Sequence, residues 1–139
     1  MTLDELKSQV NEDLKIDITK LTNETATNPL MYTKYVHLLS DLTLELKVAE
    51  IELKRVSTQR WLYYSGKGSG IVSPVIYNAS EIKKVMEGDE EIIKIERRII
   101  LLEMKKQIID EAVKAFSQRG FSLANIIKWE MFKGGNICL

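Results

Sequence analysis

Residues 35–60 read YVHLLSDLTLELKVAEIELKRVSTQR. Tyr35, Leu39, Leu42, Leu46, Ala49, Leu53 and Val56 follow one another at alternating steps of four and three. That spacing is a heptad seam, the pattern of helices packed along their length. The next place in the seam is taken by Arg60, so this helix stops being core at that point. Upstream, Asn28 followed by Pro29 predicts an N-cap and first helical residue. Downstream, Ser65-Gly66 predicts the stop.

A second seam lies nearer the C-terminus. Ile92, Ile95, Ile99, Leu102, Ile109, Val113 and Phe116 form it, with Lys106 as an interruption. Asp89 predicts its N-cap, with Glu90 and Glu91 in the first turn, and Gly120 its end. Two seams joined by a loop predict an all-α fold built on a long antiparallel helical hairpin. Short helices flank it. Leu3, Leu6, Val10 and Leu14 share a face behind a Thr2–Glu5 capping box. Residues 16–27 read as a shorter helix or an irregular segment. Ile71 to Tyr77, broken by Pro74, reads as an extended loop, followed by a short helix capped by Ser80.

The last stretch, Ser122 to Lys133, reads as a separate short helix that is apolar nearly all round. Such a helix must be covered on several sides. Phe121, Leu123, Ile126, Ile127, Trp129, Met131 and Phe132 are therefore expected to join a neighbouring subunit. The chain is expected to be a single domain over 1–139. Its N-terminal helices occupy 1–27, the hairpin 28–120 and an oligomerisation segment 121–139.

Charge is the second informative pattern. Lys plus Arg and Asp plus Glu are each 20, so net charge selects no partner class. Its distribution does. Leu53 to Ser80 contains no acid, while Lys54, Arg55, Arg60 and Lys67 fall inside it with Trp61, Tyr63, Tyr64 and Tyr77. Cations can neutralise phosphates and flat rings can stack on bases, so this stretch predicts a single-stranded nucleic-acid site. Adjacent Tyr63 and Tyr64 point about 100° apart on a helix, which leaves one to stack and the other to pack. Arg97, Arg98, Lys105 and Lys106 form a second basic set, interleaved with Glu96, Glu103 and Asp110. It reads as a solvated, ion-paired face, with contact to DNA or protein as the other reading.

Other chemistry finds little support. The turn Ser65-Gly-Lys-Gly-Ser-Gly70 does not match a nucleotide phosphate loop, and no strand precedes it. His37 is the sole histidine and has no Glu three residues before it; Cys138 is the sole cysteine. Neither supports a metal site or a nucleophile. No catalytic residue, metal or cofactor is expected. The N-terminus lacks signal-peptide character and no apolar run approaches a bilayer span, so a cytoplasmic protein is expected.

Four blocks resemble one known family. Trp61-Leu-Tyr-Tyr-Ser-Gly-Lys-Gly-Ser-Gly70 resembles the Tyr-Tyr-Ser-Gly-basic-Gly element of the UvsY family of phage recombination mediators. Ile16-Asp-Ile-Thr-Lys-Leu21, Met31-Tyr-Thr-Lys-Tyr35 and Arg119-Gly-Phe121 agree in order and spacing. The resemblance implies a non-enzymatic, single-stranded DNA-binding protein in the cytoplasm of the infected host. It implies a ring-shaped homo-oligomer of about seven subunits, held largely through the C-terminal part. It further implies that the ring helps load a RecA-like phage recombinase onto DNA coated by the phage single-strand-binding protein. The family has Lys-x-Arg before the Tyr-Tyr element; here Thr58 stands at the Lys position, while Arg60 and Lys54 match family bases and Arg55 is an extra one. The alternative reading from the residues alone is a helical adaptor or scaffold with protein partners only.

Overall fold

The computed structural model describes residues 1–135, and the described residues are helical without strands. Cys138 lies outside them. Helix α1 spans Leu3–Leu14 and is closed by the expected reciprocal bonds between Thr2 and Glu5. A 3-10 turn at Ile18–Lys20, capped by the Asp17 side chain, leads into α2, Leu21–Ser65. After the extended loop come α3, Ala79–Glu87, and α4, Glu90–Lys133.

The all-α hairpin is as the two seams predict, but three boundaries differ. Helix α2 starts at Leu21, not Asn28, and Pro29 lies inside it. Asn28 is instead buried, with its Nδ2 donating to the Phe116 carbonyl at 3.2 Å. A tertiary partner has claimed the side chain that local pattern assigns to a cap. Helix α3 is capped by Asn78, whose Oδ1 accepts from the Glu81 N–H at 2.9 Å, not by Ser80. Helix α4 runs straight through Gly120, so Ser122–Lys133 is the end of a long helix and not a helix of its own.

The described residues form two compact units, Thr43–Glu103 and the remainder. The core of the terminal unit gathers Leu6, Val10, Tyr35, Ile109, Ala112 and Phe116. Tyr35 is fully buried and stacks on Phe116 with ring centroids 5.0 Å apart. Its hydroxyl donates to Asp13 at 2.7 Å, where Lys34 also donates. Burial and the Asp13 carboxylate push the Tyr35 phenol up. Arg119 fastens the N-terminal segment in this unit. Its guanidinium donates to the carbonyls of Leu14 and Lys15, to Asn28 Oδ1 and to the Glu24 carboxylate. The Arg119–Glu24 pair is largely buried, so a truncated Arg119 would leave the Glu24 carboxylate without its partner.

In the unit Thr43–Glu103 the buried apolar residues are Leu46, Ala49 and Val56 from α2, Ile82 from α3, and Ile92 and Leu102 from α4. The seam of α2 is thus core up to Val56. Beyond it the helix end carries the charged and aromatic residues of the candidate site.

Candidate nucleic-acid interface

Helix α2 ends in a glycine-dependent stop that fixes where the site's rings and cations lie. Gly66 has φ +73°, the left-handed region that suits glycine. The Gly66 N–H donates to Tyr63 O at 3.3 Å and the Lys67 N–H to Leu62 O at 3.1 Å. These are the paired bonds of a Schellman cap. The Ser73 N–H donates to Tyr63 O at 3.0 Å, bringing the loop back to the helix end.

Arg60 is the hub of this end. Its Nε donates to Asp89 Oδ2 at 2.7 Å, and the Tyr64 hydroxyl donates to the same oxygen at 2.6 Å. The guanidinium lies 4.5 Å from the Tyr63 ring centroid and 5.2 Å from that of Tyr64. Tyr63 meets Tyr64 edge-on, and Tyr64 meets Tyr77 in the same way. Asp89 is 4 % exposed, and its other oxygen accepts from the Ile92 N–H at 3.1 Å as the N-cap of α4. Burial pushes its carboxyl up. The hydrogen bonds from Tyr64, Arg60 and Ile92 outweigh that and hold it below the usual carboxylate range. Burial and the same carboxylate raise the Tyr64 phenol.

The stretch that is free of acid in sequence is therefore not free of acid in space. Arg60 is half-buried against Asp89, and Arg55 is paired within its own helix to Glu52, Nε to Oε2 at 3.0 Å. Lys54 is exposed and, among the described residues, has no carboxylate partner. Lys67 is exposed in the turn with its ammonium 5.1 Å from the centroid of Trp61, itself 40 % exposed. Thr58 holds no charge and turns its hydroxyl back to the Lys54 carbonyl at 3.0 Å. Tyr63 and Tyr64 are both half-buried. Beside them an open groove of about 570 Å³ is lined by Arg55, Arg60 and Tyr63 of α2 and by Lys94 and Arg98 of α4. Sequence reading had not singled out Lys94. Its signal was the four-residue spacing to Arg98, which puts both on one helix face.

The second set of candidate residues lies in the terminal unit. Phe121, Trp129 and Phe132 are 70 %, 56 % and 61 % exposed, and Met131 is exposed too. Trp129 and Phe132 stack with centroids 5.7 Å apart. Ile126 and Ile127 are half-buried. Leu123 is 1 % exposed and belongs to the interior of this unit.

Among the described residues no helix is long and apolar enough to cross a membrane, and no group of side chains is arranged for a metal ion. Comparison with known proteins agrees over nearly the whole length. Residues 9–136 match the family model described as "Recombination, repair and ssDNA binding protein UvsY". The chain is 30 % identical over 136 residues to the recombination protein uvsY of Enterobacteria phage T4, covering 97 % of this chain and 99 % of that one. Crystal structures of the bacteriophage T4 recombination mediator protein UvsY superpose with a TM-score of 0.86. In lattice type II the match has 30 % identity and covers 96 % of this chain and 98 % of that one. In lattice type IV it again has 30 % identity and covers 95 % and 99 %. The chain belongs to the UvsY family, whose members are recombination, repair and single-stranded DNA-binding proteins rather than enzymes.

Proposed function

We propose that the chain binds single-stranded DNA through the end of α2 and the turn after it, and does so as a ring-shaped homo-oligomer. Lys54, Arg55, Arg60 and Lys67 supply the cations, and Tyr63 and Tyr64 the rings. The observation that carries this is the pairing of cation with ring at the end of α2, exposed Lys67 over exposed Trp61 and half-buried Arg60 over half-buried Tyr63. A few cations and rings make a weak site. Repetition round a ring raises the effective concentration of each further site once one is occupied. The C-terminal apolar residues of α4 hold the ring together. Wrapped DNA loses its coat of single-strand-binding protein because both compete for the same phosphates. A RecA-like phage recombinase then loads on the exposed strand, in the cytoplasm of the infected host.

The test is anisotropy of a labelled single-stranded oligonucleotide across a salt series. Log affinity should fall linearly with log salt, by about 0.7 per neutralised phosphate. Lys54→Ala with Lys67→Ala removes two exposed cations without touching the Arg60–Asp89 pair. It should lower the slope by about 1.4. Absence of binding, or a flat salt response, would favour a helical adaptor that meets proteins alone.

A further inference from the structure

The groove beside Arg60 is lined by two cations of α4 that the α2 site does not include, Lys94 and Arg98. Arg55 and Arg60 of α2 and Lys94 and Arg98 of α4 face it, against two carboxylates, Glu52 and Glu91. Glu52 is already engaged by Arg55. Arg60 is engaged by Asp89. Among the described residues, Lys94 and Arg98 have no carboxylate within 4.0 Å and are exposed. So the two cations that face this groove with their charge uncommitted come from α4. Their four-residue spacing stacks them one turn apart along one face.

We propose that Lys94 and Arg98 are phosphate-binding residues and that the strand bound at the end of α2 continues through this groove. The proposal rests on the single-stranded DNA reading and assigns it residues on a second helix. Three observations carry it. The groove volume is ligand-sized, at about 570 Å³. Its floor is not acidic in effect, since Glu91 alone faces it without an ion-pair partner among the described residues. And it is continuous with the α2 site, because Arg55, Arg60 and Tyr63 belong to both. A strand that meets Arg60 and Tyr63 at the end of α2 thereby reaches the groove that Lys94 and Arg98 line. Arg97, one residue along, does not line the groove, and neither do Lys105 and Lys106. The basic set that looks uniform in sequence is thus divided by the fold, and Arg98 alone of it faces the DNA.

The experiment uses the full chain and the labelled oligonucleotide in the same salt series. Lys94→Ala with Arg98→Ala should reduce the slope of log affinity against log salt by about 1.4, two contacts at about 0.7 each. Arg98→Lys, which keeps the charge, should restore half of that difference when paired with Lys94→Ala. Arg97→Ala should leave the slope unchanged. Circular dichroism and sedimentation establish that each variant keeps its helix content and assembly; should the double alanine variant lose either, Lys94→Gln with Arg98→Gln takes its place. An unchanged slope in the α4 variant, with a reduced one in Lys54→Ala/Lys67→Ala, would overturn this proposal and leave the α2 site standing. An unchanged slope in both would overturn the two together. An equal effect from Arg97→Ala would assign the loss to general charge and also overturn it.

Discussion

Asp89 shows how one carboxylate can serve two structural tasks. One oxygen caps α4 and the other receives Arg60 and Tyr64 from the end of α2. An amide at this position has a single acceptor oxygen. Asp89→Asn can keep the cap, for which Asn serves as well as Asp, but must then face Arg60 with its NH₂ group. The expected cost is about 1–3 kcal/mol, read from the denaturant midpoint. The pH dependence follows from the depressed carboxyl. A group whose pKa is lower folded than unfolded contributes stability that is complete above its unfolded value of about 3.9. That stability is lost as pH falls through the folded value. Acid unfolding should therefore begin below about pH 4 from this residue, and Asp89→Asn should flatten that limb. An unaltered acid limb would show that the Arg60–Asp89 pair does not hold these two helices.

At the scale of elements, the heptad spacing was legible because it is a local property that packing reinforces. Leu46, Ala49 and Val56 are buried where the seam puts them, and so are Ile92, Leu102 and Phe116. Helix ends were less legible, because each end is decided by which partner a polar side chain finds. Asn28 looked like a cap but bonds to Phe116 and Arg119 across 88 and 91 residues. Gly120 looked like a stop but sits within α4. The site was legible in part for the same reason. The candidate rings and cations of α2 could be read from a contiguous stretch, and Asp89 and Arg98 were visible as a cap and a basic residue. The meeting of Asp89 with Arg60, and of Lys94 and Arg98 in one groove, depends instead on packing between helices. Gly120 also gives a clean prediction. A Cβ built there would lie 3.8 Å from Asn28 Nδ2, an ordinary contact, and its φ is not in the left-handed region. Glycine inside a helix is about 0.5–1 kcal/mol worse than alanine. Gly120→Ala should therefore raise the midpoint of thermal or denaturant unfolding. A lowered midpoint would mean that the helix has to open at this residue.

For the molecule as a whole, formal net charge is zero, so no long-range attraction to DNA comes from the total. Affinity has to be built from local sites, and a single weak site gains most from repetition. On the proposed reading, DNA binding therefore depends at a distance on the exposed apolar end of α4, where subunits would join. Phe121, Trp129 and Phe132 are each more than half exposed, and large exposed apolar patches mark interaction sites. Leu123 is interior, so a truncation before Ser122 would damage the unit's own packing along with any interface. Substitution is the sharper test. Trp129→Ser with Phe132→Ser removes two stacked exposed rings while leaving Leu123 and the Arg119 contacts in place. Sedimentation should then report smaller species at unchanged helix content. Because the cations remain, each subunit keeps its own weak site, yet affinity for a long oligonucleotide should fall 10²-fold or more with the loss of multivalency. Affinity for an oligonucleotide short enough to occupy one subunit should stay level. If the assembly persists, or if long and short strands weaken alike, the end of α4 is not what joins the subunits.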